Sequence, residues 1–227
     1  MKRIDVLDVW RSLCVVIMVA YHALYDLILF GVLPAAVLDN LPMRVLEYGT
    51  AGCFVLLGGV VSRFSRDIRR RGFRLFCLGL LVSVAAALVG QTIAFGILQF
   101  FGLAMMLYSL GRERLDSAEG AWFPLLCAAL FLLTALLTGL VRVPVSWLYP
   151  LGLRSEGFYS ADYFPLLPWG FLFLLGTWLG GVVEKERERP LFTRRYPPWL
   201  TFCGRRSLLL YVLHQPLLYG ACVLLFR

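Results

Sequence analysis

Apolar runs of about twenty residues recur along the whole chain, each closed by a short polar, glycine-rich or proline-rich interruption. Seven of them qualify as helical membrane spans: 8–30, 46–62, 73–90, 93–111, 121–141, 164–183 and 205–226. Crossing the hydrocarbon of a bilayer as a helix takes about 20 predominantly apolar residues. The pattern predicts an all-α, polytopic integral membrane bundle of about seven transmembrane helices, organised as one domain over 1–227. The stretch 143–163, rich in Trp, Tyr, Leu and Pro, is a candidate for dipping back into the membrane. The first run does not read as a cleaved leader. Asp8 and Arg11 stand where its apolar core would begin, and no small-residue cleavage site follows.

Composition agrees. Of 227 residues 60% are hydrophobic and only 16% are charged, and the mean hydropathy is +0.77. A soluble domain carries roughly 25% charged residues. These values exclude a disordered chain, a secreted disulfide scaffold and a nucleic-acid-binding domain. The six cysteines all fall within apolar stretches without CxxC spacing, so they read as small buried hydrophobes rather than metal ligands or disulfide partners.

The formal charge of +8 would suggest a polyanion partner in a soluble protein. Here its placement reports orientation, because Lys and Arg gather on cytoplasmic loops. With the N-terminus inside, the inner segments hold Lys2, Arg3, the cluster Arg63 to Arg74, Arg112, Arg114 and the basic residues from Lys185 to Arg206. The outer segments hold only Arg44, Arg142, Arg154 and Arg227. That bias predicts an inside N-terminus and an outside C-terminus.

Ionisable residues inside spans are costly, usually face a cavity or the bundle interior, and are functional candidates by default. The first span has four: Asp8, Arg11, His22 and Asp26. Spacings of 3, 11 and 4 bring them to nearly one azimuth of a helix with 3.6 residues per turn. His22 lies about 16 Å from Arg11 along the axis at 1.5 Å per residue, and Asp26 one turn further. A carboxylate at i+4 is placed to hold one ring nitrogen of His22 and raise the basicity of the other. An interfacial ion pair for Asp8 and Arg11, and a hydrogen-bonded packing role for His22, are the structural alternatives.

Other spans add single polar groups. Gln99 puts an amide inside an aromatic helix, as substrate contact or as interhelical glue. Asp162 and Trp169 introduce the sixth span, where Pro165 and Pro168 predict an irregular entry. His214 precedes Pro216 in the seventh span, and the lost backbone donor predicts local irregularity lining a cavity. Gly49, Gly52, Gly58 and Gly59 allow close helix packing and carry no chemistry. The arginines from Arg63 to Arg74 anchor the inner face and are placed to meet an anionic cytosolic ligand, with Arg63, Arg66 and Arg74 as the candidate contacts.

Four segments carry a resemblance to a known family. RIDVLDVWRSLCVVIMVAYHALYDLILFG (3–31), FGILQFFG (95–102), DYFPLLPW (162–169) and GRRSLLLYVLHQPLLYG (204–220) occur in the family's order. The chain resembles the bacterial relatives of the heparan-alpha-glucosaminide N-acetyltransferase catalytic domain, within the wider group of transmembrane acyltransferases. Arg11 and His22 match that group's Arg-x10-His spacing. Three positions depart from the pattern: relatives often have His at Gln99, Gly at Ser12, and Ser-Gly at Gly58-Gly59. Against that resemblance the chain is expected to be a shorter form, without the extra spans and lumenal domain of the animal enzyme.

The resemblance implies transfer of an acyl group, foremost acetyl, from cytosolic acyl-CoA to a glycan, lipid or amino-sugar acceptor at the outer face of a bacterial inner membrane. His22 would then be the general base, with Asp26 orienting it. Arg11, Arg63, Arg66 and Arg74 would bind CoA, while Gln99, Asp162, Trp169 and His214 would contact substrate. No metal is expected. The lipid bilayer is the surrounding partner, no nucleic acid is expected, and a homo-oligomer is compatible. The competing readings are a proton-coupled transporter or flippase for a lipid or glycan, and a non-catalytic scaffold. A retinal-type receptor is excluded because neither Lys2 nor Lys185 lies within a span.

Overall fold

The computed structural model describes residues 3–117 and 120–226. Lys2 and Arg227, which enter the charge distribution, lie outside the described residues. Among those described, the protein is all-α. Its helices are α1 (Asp5–Leu29), α2 (Leu41–Arg63), α3 (Ile68–Leu88), α4 (Ile97–Asp116), α5 (Trp122–Leu140), α6 (Leu166–Lys185), α7 (Pro190–Thr193), α8 (Pro198–Arg205) and α9 (Ser207–Phe226). Two 3₁₀ turns, Ala35–Val37 and Tyr149–Leu151, lie in the connections.

Among the described residues six helices are long and apolar enough to cross a membrane: α1, α2, α3, α5, α6 and α9. The remaining expected span, 93–111, forms α4 with shifted bounds. Residues 93–96 precede the helix, and its C-terminal end carries Arg112, Glu113, Arg114 and Asp116. Those charges, rather than any lack of length, separate α4 from the six. The stretch 143–163 holds the second 3₁₀ turn and no α-helix. Leu88 and Leu224 are 84% and 87% exposed, whereas Asp26 is fully buried. Apolar side chains outside and polar ones within is the arrangement a hydrocarbon solvent favours.

The chain divides into two compact units. The first comprises Met1–Phe54 and Glu186–Arg227, the second Val55–Lys185. In the first, α1 packs against α8 and α9. Its inward face carries Asp5, Asp8, Ser12, Val15 and Asp26, the face on which the polar stripe was expected.

In the second unit α3 pairs with α4, and α5 with α6. Phe173 of α6 meets the rings of Phe100, Phe101 and Tyr108 from α4 at centroid distances of 6.2–6.4 Å. The glycine packing expected of the second span occurs at Gly59, where a Cβ would sit 2.2 Å from the Phe173 carbonyl oxygen. Gly49, by contrast, faces open space. The irregular entry to α6 is present: Leu167 has φ −105° and ψ 125°, and the Leu167–Pro168 peptide is cis. The irregularity expected at Pro216 is not. The α9 helix runs through it from Ser207 to Phe226, so loss of one N–H donor did not break the helix.

Candidate functional site

The first turns of α1 form an ion network. Asp8, 2% exposed, accepts from Arg3 and from Arg11 Nη1 at 3.0 Å, with Arg205 Nε 3.8 Å away. Asp5, also buried, pairs with Arg195 at 3.5 Å and Arg205 at 3.3 Å. The Asp8 hydrogen bond raises the Arg3 guanidinium above its ordinary pKa. Four arginines therefore answer two carboxylates, which leaves this end of the unit positive. Arg11, with a side chain 17% exposed, is a member of that network.

Further along α1, His22 meets α9. The His22 Nδ1 lies 2.8 Å from the Met18 carbonyl oxygen of its own helix. A carbonyl only accepts, so Nδ1 carries the hydrogen and Nε2 keeps its lone pair when the ring is neutral. The His214 Nδ1 is bound in the same way, 2.7 Å from Tyr211 O and 3.2 Å from Leu210 O. The two rings pack edge to face with centroids 4.9 Å apart.

The expected hydrogen bond between Asp26 and His22 does not form. Asp26 Oδ1 instead accepts from Gln215 Nε2 at 2.8 Å. A residue at i+4 is near enough to His22 in azimuth, but the ring turns to its own Met18 carbonyl and the carboxylate turns to α9. Three buried atoms here have no hydrogen-bond partner: Asp26 Oδ2, His214 Nε2 and Gln215 Oε1. Leaving a buried polar group unpaired costs about 1–3 kcal/mol, and each such group in a folded protein calls for an explanation. Gln215 is the member that sequence reasoning missed. An amide next to a histidine and a proline gives no sign of pairing with a carboxylate 189 positions earlier.

Beside this cluster opens a cavity of about 290 Å³, lined by Tyr21, Tyr25, Leu38, Asp39, Arg44 and Glu47 among others. Tyr21 donates to Glu47 at 2.8 Å, and its ring centroid lies 6.1 Å from that of His22. Arg44 pairs with Asp39 at 2.6 Å.

The other expected site residues lie in the second unit. The buried Gln99 uses both ends of its amide: Oε1 accepts from Gly96 N and Nε2 donates to the Ser83 hydroxyl, both at 2.7 Å. It caps α4 and ties it to α3, which is the interhelical role. Gln99→Ala should therefore lower stability by about 1–3 kcal/mol through the stranded Gly96 N–H. Thermal melting of the purified variant measures it, and an unchanged melting temperature would remove this role.

Asp162 Oδ2 accepts from Ile97 N at 3.0 Å, also at the start of α4, where an acceptor satisfies an orphan helix donor. Trp169 is buried among Phe131 and Phe164. Arg63 is committed to Asp116 at 2.8 Å, within reach of Glu184 at 3.8 Å. Arg66 and Arg74 are exposed.

A family model for the catalytic region of heparan-alpha-glucosaminide N-acetyltransferase matches residues 3–216. The chain belongs to that family. No curated protein and no solved structure matches it. Membership in the heparan-alpha-glucosaminide N-acetyltransferase catalytic family implies a membrane acetyltransferase, and the six candidate spans make it a multi-pass membrane protein. The matched segment takes in His22, Asp26, His214 and Gln215.

Proposed function

We propose that the protein transfers an acetyl group from cytosolic acetyl-CoA to an amino or hydroxyl group of a glycan or lipid acceptor presented at the outer face. The observation that carries this reading is the bond of His22 Nδ1 to the Met18 carbonyl, which leaves the Nε2 lone pair to the neutral ring, on the polar face of α1 about 16 Å along the axis from Arg11. That separation is comparable with a pantetheine arm. A donor whose phosphates are held near the cytosolic end can present its thioester near the imidazole.

His22 Nε2 removes the proton of the attacking group, while the Nδ1–H bond to Met18 holds the ring. Asp26 supports a positive imidazolium through its buried charge rather than through a direct hydrogen bond. The Tyr21–Glu47 cavity beside His22 suits the acceptor, since tyrosine faces and carboxylates contact both apolar and hydrogen-bonding surfaces of a hydroxylated or amino-bearing group.

CoA phosphates suit arginines open to solvent. Arg66 and Arg74 are of that kind, whereas Arg63 is engaged by Asp116. Acetyl-CoA should raise the melting temperature of the detergent-purified protein, and Arg66→Ala, Arg74→Ala and Arg11→Ala should each reduce the rise. No shift at saturating acetyl-CoA would reject the donor and favour the transporter reading.

Orientation follows the distribution of Lys and Arg. Reporter fusions should place 64–72 and 184–200 in the cytosol, and 143–162 with the C-terminus outside. A cytosolic C-terminus would require an even number of crossings and would break the proposed donor path.

A further inference from the structure

The segment that leads into α9 carries charge of one sign. From 189 to 206 its charged residues are Arg189, Arg194, Arg195, Arg205 and Arg206, with no Asp or Glu among them. Arg195 and Arg205 answer the buried Asp5, and Arg189 pairs with Glu186. Arg194 and Arg206 lie over aromatic rings, 5.2 Å from the centroid of Tyr196 and 4.3 Å from that of Phe202. Contact with a ring face leaves a guanidinium its full positive charge.

The helix inside this segment is turned the wrong way round for water. With 3.6 residues per turn, Thr201 and Gly204 of α8 share one side, and Trp199, Phe202 and Arg206 share the other. The first side is buried. Thr201 is fully enclosed, and Gly204 lies so close to the Asp8 carbonyl of α1 that a Cβ has no room. On the second side Trp199 is 73% exposed and Phe202 49%. Water would favour the reverse order, with the large aromatic rings inside and the small polar side out. An outward aromatic side suits an apolar medium.

Its place along the chain says which medium. The eight residues of α8 extend about 12 Å at 1.5 Å per residue, too short to cross a bilayer. One of the candidate spans, α9, begins at Ser207, directly after Arg206. That is the level of the membrane interface, where tryptophan concentrates and basic side chains meet phosphate.

We propose that α8 is an interfacial helix that binds an anionic phospholipid, with Trp199 and Phe202 against its acyl chains and Arg194 and Arg206 on its phosphate. Charge complementarity selects the lipid. A zwitterionic headgroup brings its own cation to a segment already rich in arginine, whereas phosphatidylglycerol brings a net negative charge. A second copy of the chain is the poorer occupant, because it would set two arginine-rich segments face to face. The site uses none of the groups assigned to acyl transfer, so its test is separate from that reading.

The whole chain, held in nanodiscs of mixed phosphatidylcholine and phosphatidylglycerol and then extracted in mild detergent, should retain phosphatidylglycerol in preference. Mass spectrometry of the co-purified lipid measures the ratio. The double variant Arg194→Gln, Arg206→Gln should lose the preference by about fivefold for each arginine. Arg69→Gln with Arg70→Gln removes as much charge from exposed positions on α3 and should keep it. Equal loss in both pairs would mean general surface charge and overturn the site.

Melting in nanodiscs guards against a folding defect. Phosphatidylglycerol should raise the melting temperature of the wild type and leave that of the α8 double variant unmoved, while the two melt alike in phosphatidylcholine. Insertion is read by fluorescence. Brominated phosphatidylglycerol should quench the wild-type emission more than that of Trp199→Phe, and equal quenching would overturn the aromatic contact. Protection by inorganic phosphate through the same two arginines would assign them to a soluble anion instead. A wild-type dimer in detergent that separates on Trp199→Ala would assign the face to a second copy.

Discussion

His22→Ala should abolish acyl transfer while the protein still folds and still responds to acetyl-CoA. The ring makes one hydrogen bond, to a carbonyl of its own helix, and its loss strands no partner on another element. In the proposed reaction the ring receives the acceptor's proton, and a positioned base contributes about 10²–10⁴-fold. Asp26→Asn should cost less than His22→Ala, because an amide still bonds to Gln215 after a rotation of either side chain and only the charge is lost. His214→Ala is the discriminating comparison. Transfer assayed in membranes, normalised to protein level, should rank His22→Ala as the most damaged. Near-normal turnover in His22→Ala beside a dead His214→Ala would move the primary base to α9.

The second large effect is on stability. Gly204→Ala should reduce folded yield and melting temperature more than any ordinary surface change. A Cβ at Gly204 would stand 1.9 Å from the carbonyl oxygen of Asp8 and 2.8 Å from its carbonyl carbon. Those are backbone atoms of α1 and cannot rotate away, so relief means separating α8 from α1. Overpacking of this kind costs about 1–3 kcal/mol, occasionally more. The shift would also disturb the Gly204 N–H bond to Ser12 Oγ, 2.7 Å and buried, and the Asp5–Asp8 arginine network at the same end. Ser12→Ala isolates the smaller term, since it strands the N–H without adding bulk. Size-exclusion melting of both variants measures the difference. A Gly204→Ala protein as stable as the parent would show that α1 and α8 are not held this closely.

Ser12 also shows how a departure from the family pattern acquires meaning only in three dimensions. The resemblance alone led us to expect Gly at this position. The structure gives its hydroxyl a buried partner on α8. Gln99 behaves alike: where the resemblance led us to expect His stands an amide whose two ends serve the Gly96 N–H and the Ser83 hydroxyl.

The membrane class and the places of most helices were readable from hydropathy, because a bilayer demands about 20 apolar residues per crossing and internally bonded backbone. The polar face of α1 was equally readable, since 3.6 residues per turn fixes which side chains share a side. Helical period, however, says nothing of which helix packs against that face. In hydrocarbon the outer surface is as apolar as any helix contact, so pattern alone does not choose neighbours. Tertiary structure decided that Asp26 bonds to Gln215, 189 positions away, instead of to His22 one turn away. It decided that His22 faces His214, and that Arg63 serves Asp116. These pairings depend on the close approach of separate helices, which hydrogen-bond geometry and small residues such as Gly204 permit and which no local run of sequence encodes.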